Sequence, residues 1–189
     1  MAMTRSGLIG KGLDLPWKIR EEMNYFRKIT LGKTVILGWN TFASFRFKPL
    51  PERTNIVLSR LDNSLTNIFK SPSSWSSGSN LFFFSDYQAL VSQYRGHSDR
   101  HAFVIGGKNV FSQFFPFLDA ISVSWIKGDF EGDVYFADLD GLDIFHSLWV
   151  KSFDFFEAEL LVAKKICQQK TLLKQLESIF YFSNLAKIK

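Results

Sequence analysis

Cysteine is all but missing from this 189-residue chain: Cys167 stands alone. One cysteine excludes an internal disulfide framework and a cysteine-based zinc site. Histidine is nearly as scarce. His97, His101 and His146 show no metal-ligand spacing, so no metal is expected. No apolar run reaches the length of a membrane span, and the first residues lack the apolar core of a signal peptide. The expected setting is cytoplasmic, with no membrane partner. Negative charge is also in deficit, with 18 acidic against 23 basic residues for a net +5. That balance suits a small anionic ligand and equally a weak, non-specific nucleic-acid contact. Residues 160–189, lysine-rich with only Glu177 opposing, account for the whole excess. They carry no aromatic-interleaved RNA-binding signature, so no specific nucleic-acid partner is expected.

What remains is an ordinary globular composition, 46% hydrophobic and 22% charged. A chain of this length forms one domain and buries roughly 70% of its unfolded surface. Phenylalanine, at 21 residues, is the outlier, and it reflects genome composition as readily as function. No internal repeat is present.

The stretch Leu15-Pro16-Trp17-Lys18-Ile19-Arg20-Glu21-Glu22-Met23-Asn24-Tyr25-Phe26 organises the rest. Its pattern predicts a helix over 19–31 with Gly32 as the C-terminal cap. Pro16 presets the turn into that helix, and the acidic pair falls where a helix N-terminus favours negative charge. Glu22 and Phe26 sit four apart on one face, with Met23 one step round. A carboxyl between an apolar residue and a ring is partly desolvated, which raises its pKa and lets it donate a proton near neutrality. Taken alone, the stretch is also an ordinary amphipathic helix with an acidic start.

Residues 5–14 are glycine-rich (Gly7, Gly10, Gly12) and read as an ordered but mobile loop, without the spacing of a Rossmann fingerprint. Residues 34–37 read as a buried strand leading through Gly38 into a short helix over 39–44, an arrangement that offers amides to an anion. Lys48-Pro49-Leu50-Pro51-Glu52-Arg53 forms a turn presenting Arg53 before a strand over 54–58. Ser59-Arg60 then supplies a hydroxyl and a guanidinium, a pair suited to phosphate, although either arginine also reads as a solvated surface residue. Residues 61–80 form a long Ser/Asn/Asp-rich connection. A strand over 81–84 and a helix over 87–94 follow. Next, Ala102-Phe103-Val104-Ile105 runs into Gly106-Gly107 and a helix, where phosphates can approach bare backbone. Strands are expected over 119–126 and 148–157, and residues 158–189 show helical periodicity through Ile166, Leu172, Leu173 and Leu176.

In order, these motifs resemble those of the dihydrofolate reductase family, bacterial type, over residues 1–157. Ile9-Gly10 with Leu15-Pro16-Trp17 is similar to the family's mobile active-site loop. Val35-Ile36-Leu37-Gly38 with Thr41-Phe42 is similar to its first nucleotide-contacting strand and helix. Pro49-Leu50-Pro51 with Arg53 and Asn55-Ile56-Val57-Leu58-Ser59, then Val104-Ile105-Gly106-Gly107 and Glu131-Gly132-Asp133, complete the series. The resemblance implies an α/β single-domain fold with a central, mostly parallel mixed sheet flanked by helices. It implies a monomer that uses NADPH to reduce 7,8-dihydrofolate to 5,6,7,8-tetrahydrofolate for one-carbon metabolism. Hydride would pass to the pterin C6 and a proton to N5. Glu22 would be the acidic group on the pterin, Trp17 would hold a nearby water, and Ser124 would support the carboxylate. Met23, Phe26, Phe45 and Leu50 would line the substrate pocket, with Arg53 on the glutamate-tail carboxylate. Ala2, Ile9, Gly10, Thr41, Ser59 and Arg60 would lie along the cofactor, as would Gly106, Gly107, Val110, Phe111 and Gln113.

Three features depart from the family pattern. Trp39 and Asn109 stand where cations are frequent, which leaves Arg60, with Lys108, to answer the 2′-phosphate. Residues 158–189 form a divergent lysine-rich tail beyond the expected final hairpin. The family also places an apolar strand ahead of the segment matching Ala2-Met3, so a first strand cut short is expected, through a mis-assigned start or a genuine truncation. Two alternatives stay open here. One is a related pterin or pyrimidine reductase, against which Glu22 in its setting argues. The other is a degenerate, non-catalytic protein that binds a nucleotide or a partner.

Overall fold

A computed structural model describes residues 1–59, 80–94, 101–136, 140–167 and 169–180. In chain order its first elements are β1 (Ala2–Thr4), β2 (Leu8–Gly10), α1 (Arg20–Thr30), β3 (Thr34–Gly38), α2 (Trp39–Ser44) and β4 (Thr54–Leu58). Then come β5 (Leu81–Phe84), α3 (Tyr87–Tyr94), β6 (Ala102–Gly106), α4 (Lys108–Phe114) and β7 (Ala120–Ile126). The last are β8 (Val134–Tyr135), β9 (Phe145–Ser152), β10 (Phe156–Ala163) and α5 (Lys170–Phe180). They fall into two compact units, one of Met1–Ile29 with Leu118–Lys189, the other Thr30–Phe117.

The continuous unit is a parallel sheet in the order β5-β4-β3-β6. Its strands read as unbroken apolar runs, such as Val35-Ile36-Leu37, because both faces of a parallel sheet are covered. Ile36 stands opposite Ile56 on one side and Val104 on the other. The core on one side gathers Val35, Leu37, Phe42, Val57 and Phe83, with Phe45 and Leu50 packed against them. Trp39 joins this core too. Its ring lies 6.3 Å from Phe42, 5.4 Å from Phe47 and 6.5 Å from Phe83, centroid to centroid. A residue that is odd in the family pattern is thus used for packing.

Asn55 holds the proline turn to the sheet. Its Oδ1 accepts from the Leu50 amide at 2.9 Å, and its Nδ2 donates to the carbonyls of Leu50, Arg53 and Asn80 at 2.9, 3.0 and 3.2 Å. With only 1% of its surface exposed, water cannot replace these partners. Asn55→Ala is expected to cost about 2–3 kcal/mol in a urea melt, since buried backbone groups are left unpaired.

The other unit carries a mixed sheet in the order β1-β7-β10-β9. β1 runs parallel to β7, with Ala2 opposite Ser124, while β10 is antiparallel to both β7 and β9. A second, two-stranded sheet pairs β2 with β8. The expected mobile loop over 5–14 therefore holds a strand. Leu8, Trp17, Tyr25, Ile126, Phe156 and Ala158 form this unit's core. The single strand expected over 148–157 is in fact the turn of a hairpin, with Phe153 stacked on Phe156 at 4.4 Å. Position 157 lies inside β10, whose Ala158, Leu160 and Val162 are buried, so a tail starting at 158 begins too early. Beyond β10 a single 3-10 turn (Lys164–Ile166) precedes the α-helix that starts at Lys170. Of the connection expected over 61–80, only Asn80 lies among the described residues. Among those residues no helix is long and apolar enough to cross a membrane.

Candidate active site

On α1 the first turn closes with the Met23 amide donating to the Ile19 carbonyl at 3.1 Å. The two acids that follow one another in this turn point to different faces. Glu21 is exposed, while Glu22 keeps 6% of its surface and faces β7. The Ser124 hydroxyl, 3% exposed, is hydrogen-bonded to its carboxylate. Burial drives the Glu22 carboxyl above the ordinary carboxylate range, with the Met1 ammonium and the Ser124 hydroxyl pulling the other way. The same burial lowers the Met1 ammonium to about 6, with Glu22 opposing the shift. An acid whose charged form is penalised by desolvation holds its proton to higher pH than a surface glutamate.

Trp17 is also buried, at 4% exposure, with its ring edge-on to Phe130 at 5.5 Å. Its indole N–H meets no acceptor among the described residues. Ala2 and Ile9 are half-buried, Gly10 is buried, and Phe26 is half-buried. Met23, beside Glu22 in sequence, is 58% exposed.

The parallel unit supplies a second cluster. β3 and β6 each pass directly through a glycine into a short helix, and neither Gly38 nor Gly107 places a side chain on the helix amides. Gly106 has φ 128°, a conformation that disfavours any Cβ. A Cβ on Gly107 would stand 3.2 Å from the Thr41 hydroxyl, and one on Gly106 would stand 3.4 Å from it and 3.6 Å from the Phe111 ring. Thr41, Gly106, Gly107 and Phe111 are therefore brought together around bare backbone. Val110 packs on Gly38, where a Cβ would approach its Cγ2 to 2.9 Å. Gln113 is half-buried on the same helix, and Lys108 and Asn109 are exposed in its first turn. Ser59 follows β4 with its amide bonded to the Phe84 carbonyl at 2.9 Å. Arg60 lies outside the described residues.

Arg53 is no solvated surface residue. It is 6% exposed, with Nε donating to the Thr30 hydroxyl at 2.9 Å and Nη1 to the Pro51 carbonyl at 3.0 Å. Thr30, itself 1% exposed, fixes the plane of the guanidinium and has no counterpart in the sequence reading. Phe45 and Leu50 are half-buried in the same unit. Reading the sequence also passed over Tyr25 and Ser122, whose hydroxyls meet at 2.7 Å. Their spacing was the available signal: three residues from Glu22 on the helix, two from Ser124 on the strand.

A family profile described as "Dihydrofolate reductase" matches residues 1–154. The dihydrofolate reductase of Mycoplasma pneumoniae is 35% identical over 134 residues, covering 71% of this chain and 78% of its own. The chain belongs to the dihydrofolate reductase family. Its relative from Bacillus subtilis is 34% identical over 139 residues, 74% of each chain. A dihydrofolate reductase from Enterococcus faecalis, solved with NADP(H) and RAB-propyl, has the same fold at a TM-score of 0.69 and 24% identity. That match covers 86% of this chain and 93% of the other. Family and fold expected from the order of the motifs are thereby borne out.

Proposed function

We propose that this protein catalyses the NADPH-dependent reduction of 7,8-dihydrofolate to 5,6,7,8-tetrahydrofolate, supplying one-carbon metabolism in the cytoplasm as a monomer. The observation that carries the reading is Glu22: a buried carboxyl, hydrogen-bonded to Ser124 and driven toward its protonated form by desolvation, in a chain of this family. Such a group keeps its proton to higher pH than a surface glutamate does, and it can release that proton to a weak base such as the pterin N5.

NADPH, when bound, supplies the hydride. The bare backbone at Gly106 and Gly107 beside the Thr41 hydroxyl fits a group that must lie close to main chain. Phe111, Val110, Gln113 and Ser59 complete the cofactor reading on that unit, and Ala2, Ile9 and Gly10 are read as cofactor residues from the family motifs. Arg53, already oriented by Thr30, would meet the substrate's carboxylate, a pairing that guanidinium geometry favours. Phe45, Leu50, Phe26 and Met23 would cover the apolar part of the substrate. Trp17 would offer its indole N–H to a water at the pterin.

Mixing the protein with NADPH and dihydrofolate and following NADPH absorbance tests the reading. Dihydrofolate-dependent loss of absorbance is expected, and no loss with intact NADPH binding would sink it. Arg60→Ala is expected to raise the Michaelis constant for NADPH by roughly ten-fold or more, the scale of a charge-assisted hydrogen bond, and to leave that for NADH nearly unchanged. Equal effects on both cofactors would move recognition of the 2′-phosphate elsewhere.

A further inference from the structure

We propose that the Tyr25–Ser122 hydroxyl pair is a positioning device for Glu22: it keeps α1 in register on β7 so that the Ser124 hydroxyl meets the Glu22 carboxylate. The proposal rests on the reading of Glu22 as the proton-holding group. Two polar rungs join this helix to this strand. One is Glu22 with Ser124, the other Tyr25 with Ser122 at 2.7 Å. Positions three apart on a helix share a face, as do positions two apart on a strand. Three helical residues rise about 4.5 Å and two strand residues about 6.6 Å, a difference of about 2 Å that side chains of unequal length can bridge. The rungs run in opposite sequence directions, 22 to 25 against 124 to 122, which sets α1 antiparallel to β7 at this place. One rung alone would let the helix pivot; two fix its rotation and its slide.

Tyr25 suits the task. Its ring is 2% exposed and packs against Phe156 at 6.1 Å, so Tyr25→Phe removes the hydroxyl and keeps the packing. Burial pushes the phenol up to about 12, with the Ser122 hydrogen bond opposing that shift and Glu22 adding to it, so the hydroxyl stays neutral in the working range. The charged group that acts on Glu22 is the Met1 ammonium from the β1 side, while on its own helix the phenol is neutral and is itself raised by the Glu22 charge. From β7 Glu22 meets the Ser124 hydroxyl. The Met1 ammonium also donates to the Ser122 carbonyl, tying β1 to the same strand position.

The test titrates Glu22 directly in the full chain by carbon NMR of carboxyl-labelled glutamate, the resonance being assigned by its loss in Glu22→Gln. Ser124→Ala is expected to raise the Glu22 pKa by about one unit, since a donor to the charged form is removed. Tyr25→Phe and Ser122→Ala should each raise it by part of that amount. Tyr25→Phe added to Ser124→Ala should raise it no further. In turnover, the alkaline limb of the pH–rate profile should move the same way. Single variants that titrate as wild type, or a Tyr25→Phe shift undiminished without Ser124, would overturn the proposal. Should Tyr25→Phe fail to fold, Ser122→Ala carries the measurement. Because the titration needs no catalysis, a protein inactive on dihydrofolate would overturn the functional reading and leave the positioning result standing.

Discussion

Glu22→Ala is expected to slow dihydrofolate turnover roughly 100-fold or more near neutral pH, the usual scale for loss of a general acid. The wild-type rate should fall as pH rises through the Glu22 pKa. Burial raises that pKa, so the protonated, donating form survives above the ordinary glutamate range and is lost on the alkaline side. Glu22→Gln, which has no such titration, should give a low rate without that limb. Single-turnover rates of NADPH oxidation across pH would check both points. A Glu22→Ala enzyme with wild-type turnover and profile would remove this carboxyl from the chemistry.

Gly132→Ala should be the most damaging of the glycine substitutions to stability. A Cβ there would stand 2.5 Å from the Gly10 carbonyl oxygen and 2.6 Å from Leu8 Cδ1. That oxygen is not free to retreat, because it accepts the Asp133 amide at 3.2 Å. The Asp133 carboxylate in turn accepts the Gly12 amide at 2.7 Å, so this end of the β2–β8 pair is held by two bonds. A loss of about 3 kcal/mol is expected, the upper end of what overpacking costs. For a chain of this size that lowers the melting temperature by roughly 6–12 °C. Since β2 carries Ile9 and Gly10, the Michaelis constant for NADPH should rise as well. Gly12→Ala is the control. Nothing lies within 4 Å of its Cβ, so only the φ of 60° opposes it, at about 1 kcal/mol. Equal melting temperatures for the two variants would refute the close-approach argument.

Most elements of the parallel sheet were legible because apolar runs bounded by glycine leave little choice. The strand leading to Gly38, the helix over 87–94 and the strand ending at Gly106 all lie where the pattern puts them. β10 was not legible. Its Leu160-Leu161-Val162 run is continuous, and a short apolar run before a lysine-rich segment reads as helix as readily as strand. Only pairing with β7 on one side and β9 on the other decides it. For the site, sequence singled out Glu22, yet which member of the acidic pair is buried depends on a strand a hundred positions away. Trp39 shows the opposite failure. Its mismatch with the family pattern was plain, but the Phe42, Phe47 and Phe83 rings that accommodate it exist only in three dimensions.

The division of the chain imposes a schedule on biosynthesis. The unit Thr30–Phe117 is one uninterrupted segment, whereas the unit bearing Glu22 is assembled from Met1–Ile29 and everything after Leu118. All four parallel strands leave the ribosome before β7 does, and domains generally fold as they emerge. β1 meanwhile waits for its partner across the whole intervening segment, since Ala2 pairs with Ser124. The nascent chain therefore carries Glu22 through the synthesis of an entire sheet as a carboxyl without its hydroxyl. The emergence of β7 is the step at which Glu22 gains its Ser124 partner.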